Sequence, residues 1–318
     1  MRRNDLITAS DFPITDGKVY HLNLKPEELA KDVLIVGDPD RVPLIADEFF
    51  VLKEIDRFHR GLRTITGVVE DTYQRVSIVT SGMGTPSLEI VLNELVALNE
   101  IDLLTRKRYA KFDRMNIIRV GTSGGLQLDT KIGTLIITEY AIGLDNTGLF
   151  YNVKNTNDGC QELEDIIRET ISRASSSSSK SRKKIFPYVS RANPEVVRAL
   201  EKAAQELDVD YKKGVTASNS GFFANQGRQI SRLPLTIPDI DDLLASTETK
   251  IANLRIENME MEASFLLFFM GALGYRAGVI CPIIANRRNN TFTACYSQNI
   301  KVAAQIALNA LNLLKLAN

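Results

Sequence analysis

Short β-branched runs, each bounded by Gly, Asp or Asn, recur along the chain at 33–36, 76–80, 117–120, 134–138, 214–217 and 278–285, and this recurrence limits the fold more than any other feature. Helical patterns stand between several of them. The clearest covers 86–98, where Thr85 can cap, Pro86 suits the first turn, and Leu88, Val91, Leu92, Leu95 and Val96 form an apolar stripe. Further helices are expected over 195–207, 259–273 and 298–316, the last amphipathic and lying on the outside of a sheet. Strand alternating with helix implies an α/β fold whose sheet is largely parallel and buried.

One segment departs from globular composition: the stretch 173–184 holds five consecutive serines, Ser175 to Ser179, followed by a basic run. It is expected to be a solvated surface loop. Strand and helix patterning of the same kind continues on both sides of it, so a single domain over 1–318 is expected.

Composition removes several function classes. The chain has 39 basic and 39 acidic side chains, so no long-range field favours a polyanion and no nucleic-acid partner is expected. Cys160, Cys281 and Cys295 are odd in number and lack the close pairing of a zinc or disulfide framework. Reduced thiols, no metal and a cytoplasmic location follow as expectations. The basic start at Met1, Arg2 and Arg3 runs into polar sequence rather than an apolar stretch, so no signal peptide is expected. The most apolar region, 263–285, is broken by Gly271, Gly274, Arg276, Gly278 and Pro282 and reads as a buried helix followed by a buried strand, not as a membrane span.

Candidate chemistry collects at strand ends. An apolar strand enters Gly37-Asp38-Pro39-Asp40-Arg41-Val42, where a glycine lets backbone amides approach an anion and Arg41 supplies a bidentate donor; a tight turn with a surface arginine has the same signature. A second strand reads Ile117-Ile118-Arg119-Val120 and leads into Gly121-Thr122-Ser123-Gly124-Gly125. An arginine inside a buried strand is costly unless paired, either with a bound anion or with a structural carboxylate. Ser81-Gly82-Met83-Gly84-Thr85-Pro86 is a third glycine-rich turn, but neither a P-loop nor a GxGxxG fingerprint occurs, which demotes nucleoside triphosphate and nicotinamide chemistry. Met259-Glu260-Met261-Glu262-Ala263 is read as the opening of a helix. Two carboxylates two apart cannot share a helical face, so one is expected to point into a site while the other pairs elsewhere. Asn286-Arg287-Arg288 ends the last apolar strand with a polar tip.

Taken in order, these segments resemble the uridine phosphorylase branch of the nucleoside phosphorylase family. The similarity runs from about Tyr20 to Arg288 and includes Tyr20-His21-Leu22-Asn23-Leu24, the GDPDRV segment, His59-Arg60, the RVGTSG segment, Gly214 to Ser218 with Phe222, Gln226-Gly227-Arg228, the EMEA segment and the Ala285-Asn286-Arg287 tip. The resemblance implies a three-layer sandwich with a central mixed sheet flanked by helices. It also implies that Gly37, Arg41, Arg119 and Thr122 bind phosphate, with Arg60 reaching in from a neighbouring subunit. Met261 and Glu262 would hold the ribose, His21 of a second copy would approach the sugar's far end, and Phe222, Gln226 and Arg228 would read the base with Arg287 nearby. Catalysis would rest on Arg119, Glu262 and Arg228. Inorganic phosphate would be a co-substrate, no cofactor is expected, and shared sites require a homo-oligomer, at least a dimer.

The chemistry suits those residue types. As the glycosidic bond stretches, the sugar becomes cationic and the base anionic, so an anion is needed beside the anomeric carbon and donors must face the departing base. Purine members of the family carry an aspartate near the last strand's tip, where this chain has Asn286 and Arg287; that difference, with Gln226 and Arg228, points to a pyrimidine nucleoside. The chain also departs from bacterial uridine phosphorylases at Gly61, where they typically have a glutamate associated with a monovalent cation, and none is expected here. It carries inserts near 104–114 and at the serine run. The competing readings are a purine or broad-specificity phosphorylase, a hydrolytic nucleosidase of the same fold and, from another class, an inactive nucleoside-binding protein.

Overall fold

The computed structural model describes residues 7–153, 158–174, 184–251 and 253–316. Two compact units make up the chain, residues 1–117 and 118–318.

In the first unit, strand β1 (Asp32–Val36) is followed by helix α1 (Arg41–Phe49), then by β2 (Phe50–His59), β3 (Leu62–Val69), β4 (Arg75–Thr80) and helix α2 (Thr85–Glu100). β1 pairs in parallel with β4, whereas β3 is antiparallel to both β4 and β2. All five residues of β1 are buried, as a strand covered on both faces requires. The expected helix at 86–98 is present and extends by a residue or two at each end, but Thr85 is its first residue rather than its cap. Gly84 takes the cap position at φ 84°, a left-handed conformation suited to glycine. The β2–β3 hairpin, not expected from the sequence, turns on Arg60 and Gly61 at φ 51° and 78°. Two successive positive φ values make a two-residue type I′ turn, which matches strand twist and favours glycine at its second position. Gly61 thus has a backbone reason to stand where a glutamate is otherwise typical.

The second unit begins within β5 (Asn116–Val120). It continues through β6 (Ser123–Gly125), β7 (Leu135–Leu144), α3 (Asp158–Ala174), β8 (Tyr188–Arg191), α4 (Pro194–Glu206), β9 (Tyr211–Asn219), α5 (Ile240–Ser246), β10 (Ile256–Glu260), α6 (Ala263–Ala272), β11 (Arg276–Asn286) and α7 (Ser297–Leu316). The pairing order is β8-β7-β9-β10-β6-β11, with parallel pairs at β7–β9, β9–β10 and β6–β11 and antiparallel pairs at β8–β7 and β10–β6. β7 also pairs antiparallel with β11, so five strands close a ring of pairings. The sheet is therefore mixed, as the resemblance implies, and less uniformly parallel than strand–helix alternation alone suggests.

Several expected elements are present with longer bounds: 134–138 grows into β7, 214–217 into β9 and 278–285 into β11. Asn193 caps α4 by accepting from the amides of Glu195 and Val196. The helix expected over 259–273 needs correction, because Ile256–Glu260 is a fully buried strand and the helix starts only at Ala263. A core of β7, β9, α3 and α5 side chains, including Ile142, Leu163, Ile167, Val215, Ala217 and Leu244, fills one side of the sheet. Of the expected loop at 173–184, Arg173 and Ala174 close α3, and 175–183 lie outside the described residues. No helix among the described residues is long and apolar enough to cross a membrane.

Candidate active site

Arg119 is the centre of the second unit's polar core. It projects from β5 and folds back over the following turn, where a Cβ added at Gly121 would stand 1.7 Å from its Nη1. Only glycine leaves room for that guanidinium. Arg119 is 3% exposed, donates through Nη2 to Glu262, and lies 3.4 Å through Nη1 from Glu260 Oε2. Burial opposes its charge, but Glu262 and Glu260 outweigh burial and push its pKa above the ordinary guanidinium value. Its buried Nε has no hydrogen-bond partner among the described residues.

The two carboxylates do not divide as a helical reading requires. Because Glu260 ends a strand and Glu262 stands in the turn after it, both face Arg119. Glu260 also accepts from the backbone amides of Glu262 at 2.9 Å and Ala263 at 3.0 Å, and from the hydroxyl of Ser218. It thereby satisfies the first free amides of α6, which is why that helix starts at Ala263. Ser218 in turn accepts from the amide of Ser264 at 2.9 Å, and Ser264 donates through Oγ to Asp145 at 3.1 Å. Tyr188 donates to the same Asp145 oxygen at 2.8 Å. The turn holding Thr122 is tied in separately: Thr216 donates to Asn258 at 2.8 Å, and Asn258 donates to Ser123 at 2.9 Å. Thr122 and Met261 are half-buried on these two turns.

A second group forms around the single 3-10 turn Ala224–Gln226. Phe222, 52% exposed, lies under the guanidinium of Arg228 at 4.0 Å. Arg228 Nη1 donates to Gln226 Oε1 at 2.7 Å and to the carbonyl of Phe222 at 2.6 Å. Gln226 is buried, and its oxygen being engaged fixes which end of the amide is the donor. Arg287 donates to the backbone carbonyl of Gln226 and pairs with Asp241 at 2.7 Å. Burial, and then the charge of Arg287, lowers the Arg228 pKa from its ordinary value. Phe222, Gln226, Arg228 and Arg287 are thus brought into one cluster. Asn286 is spent structurally, donating to the carbonyls of Gln127 and Thr130 at 2.8 and 2.9 Å.

The first unit carries the remaining candidates. Gly37 and Arg41 flank the entry to α1, whose first amide, that of Arg41, donates to Asp38 O at 3.1 Å. His21 and Arg60 are neighbours through Tyr20, whose ring meets His21 edge-on at 5.1 Å and carries the Arg60 guanidinium at 5.5 Å. Glu94, buried on α2, accepts from the His21 amide and from Nδ1 at 2.8 Å each and from the Leu22 amide at 2.7 Å. Since Nδ1 carries its proton toward that carboxylate, Nε2 is the ring atom left for a ligand. His59 donates to the carbonyl of His21 at 3.2 Å.

Sequence reasoning did not single out Ser218, Asn258, Ser264, Asp145, Tyr188, Asp241 or Glu94. Most are short polar side chains inside apolar elements, and no local pattern marks them, because their burial and their partners come from distant parts of the chain.

The chain as a whole matches a known family. Residues 31–312 match the phosphorylase superfamily, and the chain belongs to it. A uridine phosphorylase of Thermococcus kodakarensis is 31% identical over 312 residues, covering 97% of this chain and 91% of that protein. A crystal structure of a Trypanosoma brucei nucleoside phosphorylase, described as showing uridine phosphorylase activity, superposes with a TM-score of 0.85 at 31% identity, covering 95% of this chain and 99% of that one. By contrast, a DeoD-type purine nucleoside phosphorylase of Listeria welshimeri matches at 35% over only 123 residues, 38% of this chain and 46% of that protein. The α/β sandwich read from the sequence is this family's fold.

Proposed function

We propose that this chain is a cytoplasmic uridine phosphorylase, converting uridine and inorganic phosphate to uracil and ribose 1-phosphate as a step of nucleoside salvage. The observation that carries the choice of base is the Gln226–Arg228 pair beside the Phe222 ring. An amide and a guanidinium held edge to edge match the two carbonyls and the ring nitrogen of uracil, and the aromatic ring covers a base face. The amide nitrogen of Asn286 already serves two carbonyls, and the carboxylates beside that tip, Asp241 and Asp242, are engaged by Arg287 and Arg288 rather than free to protonate a purine ring.

On this reading phosphate lies against Arg119 and Thr122 and attacks the anomeric carbon as the carbon–nitrogen bond breaks. The unmet Nε–H of Arg119 supports that role, because a buried cationic donor gains most from an anionic acceptor. The further phosphate ligands that the resemblance implies, Gly37, Arg41 and a second copy's Arg60, belong to the same reading. Glu262 and Met261 hold the ribose as it becomes cationic. The electron pair of the broken bond goes to the base, where Gln226 and Arg228 receive the developing charge. His21 and Arg60, presented together on Tyr20, serve a second copy's site in a homo-oligomer. No metal or organic cofactor is required by any of these steps.

The test is a panel of uridine, thymidine, inosine and adenosine, each with and without phosphate. Phosphate-dependent release of uracil, with uridine ahead of inosine, is the expected result. Base release without phosphate would make the protein a nucleosidase, and faster inosine cleavage would make it a purine phosphorylase.

A further inference from the structure

Arg287 stands near the base-reading residues, and its guanidinium is already engaged within the protein by the backbone carbonyl of Gln226 and the carboxylate of Asp241. The turn between Gln226 and Arg228 is seated on the same carboxylate's segment. Gly227 adopts φ 71°, and a Cβ there would meet Pro238 O at 2.5 Å, Asp241 Oδ1 at 3.2 Å and Ile240 Cγ2 at 3.3 Å. Asp241 thus touches the base-reading turn twice, once by packing and once through Arg287. Asp241 is also the anion that opposes the repulsion between Arg287 and Arg228, two cations beside what would be an uncharged base.

We propose that Asp241 is a positioning residue for base recognition, holding Arg287 on the Gln226 carbonyl so that the Gln226 and Arg228 side chains face the base in one fixed arrangement. Arg287 then acts through Gln226 rather than by reading the base itself. This rests on the base-reading role of Gln226 and Arg228 given above. The neighbouring pair, Arg288 with Asp242 at 3.4 Å, has an exposed carboxylate, so it serves as an internal comparison.

The experiment is a double-mutant cycle on the full chain, with Asp241→Asn, Arg287→Met and their combination, read as KM and kcat for whichever nucleoside the unmutated protein cleaves, and as KM for phosphate. Asp241→Asn is expected to raise nucleoside KM about tenfold while kcat and phosphate KM stay within about twofold. Once Arg287 is replaced, the same substitution adds less than about twofold. Asp241→Glu is expected to recover part of the loss, and Asp242→Ala to change nothing. Additive effects in the cycle, or a fall in melting temperature with nucleoside KM unmoved, would overturn the proposal. A different preferred base in the unmutated protein would overturn the uridine assignment instead, and the cycle on that base would still decide the role of Asp241.

Discussion

The Arg119 wall and the Phe222 loop belong to one unit but are built on opposite principles. Arg119, Glu260 and Glu262 are almost wholly buried, sit at strand ends and the turns that follow them, and are tied into hydrogen bonds that run back through Ser218 and Ser264 to Asp145 and Tyr188. Phe222 and Arg228 lie on irregular backbone, with the ring half exposed and the guanidinium held by one amide, one carbonyl and a ring face. Chemistry common to every nucleoside, activation of phosphate and stabilisation of a cationic sugar, needs fixed charges in a dry setting. Choice of base needs only a few donors on a segment that can vary without disturbing the sheet. The contrast teaches where damage in this protein should be global and where it should be selective.

Breaking the wall should cost the most. Arg119→Ala leaves Glu260 and Glu262 buried beside a missing cation, and removing one partner of a buried pair destabilises by about 3–5 kcal/mol. Denaturant unfolding should show that loss, with turnover down by roughly three orders of magnitude or more as phosphate and sugar lose their shared anchor. An Arg119→Ala protein that loses this stability yet keeps its turnover would mean that the wall is a structural salt bridge with no part in the chemistry. Glu262→Gln should do less to stability, since Glu260 still pairs with Arg119, yet lower kcat by about 100-fold with little change in nucleoside KM. Near-normal turnover would transfer the ribose role to Glu260.

Substitution in the loop should change selectivity before stability. Gln226→Ala removes one end of a paired reader, and each unmet buried donor or acceptor is worth about 1–3 kcal/mol, or roughly 5- to 150-fold between a matching and a mismatching base. The uridine-to-inosine ratio of kcat/KM should fall by that factor while the unfolding midpoint moves little. Arg41→Ala should raise phosphate KM and leave the ranking of bases unchanged. A loss of stability as large as that of Arg119→Ala would erase the distinction between the two regions.

The same contrast governs how much could be read in advance. Strand ends carrying Gly121, Arg119 and the 286–288 tip were legible because β-branched runs stop abruptly at glycine or polar residues. Glu260 was misread as helical because Met-Glu-Met-Glu-Ala has good helix formers, and tertiary pairing on both sides turned it into a buried strand. The β2–β3 hairpin was missed because Arg60-Gly61 is not one of the usual Asn-Gly or Asp-Gly turn pairs. Asp145, Tyr188 and Asp241 were invisible for another reason: they act across long sequence separations, and no local pattern marks a residue whose partner is more than forty positions away.

The smallest expected effect is chemical rather than kinetic, and it measures how closed the wall is. Cys281 lies 3.7 Å from Arg119 Nη1, and burial pushes its thiol up to about 12 against the opposing pull of that cation. Cys160, buried among apolar side chains, is pushed up to about 11, whereas Cys295 is exposed. A thiol titrating near 12 is ionised to roughly one part in ten thousand at pH 8, and the thiolate is the form that alkylates. Raising the pH from 7 to 9 increases that fraction a hundredfold and still leaves it near one part in a thousand, so alkali alone should not expose Cys281. Native protein treated with iodoacetamide at pH 8 should therefore label one thiol per chain, at Cys295, with full activity retained, and denatured protein should label all three. Peptide mapping decides it. Rapid native labelling at Cys281 would require β11 to part from Arg119 on the timescale of the reaction, and the wall would then be as open as the loop it is contrasted with.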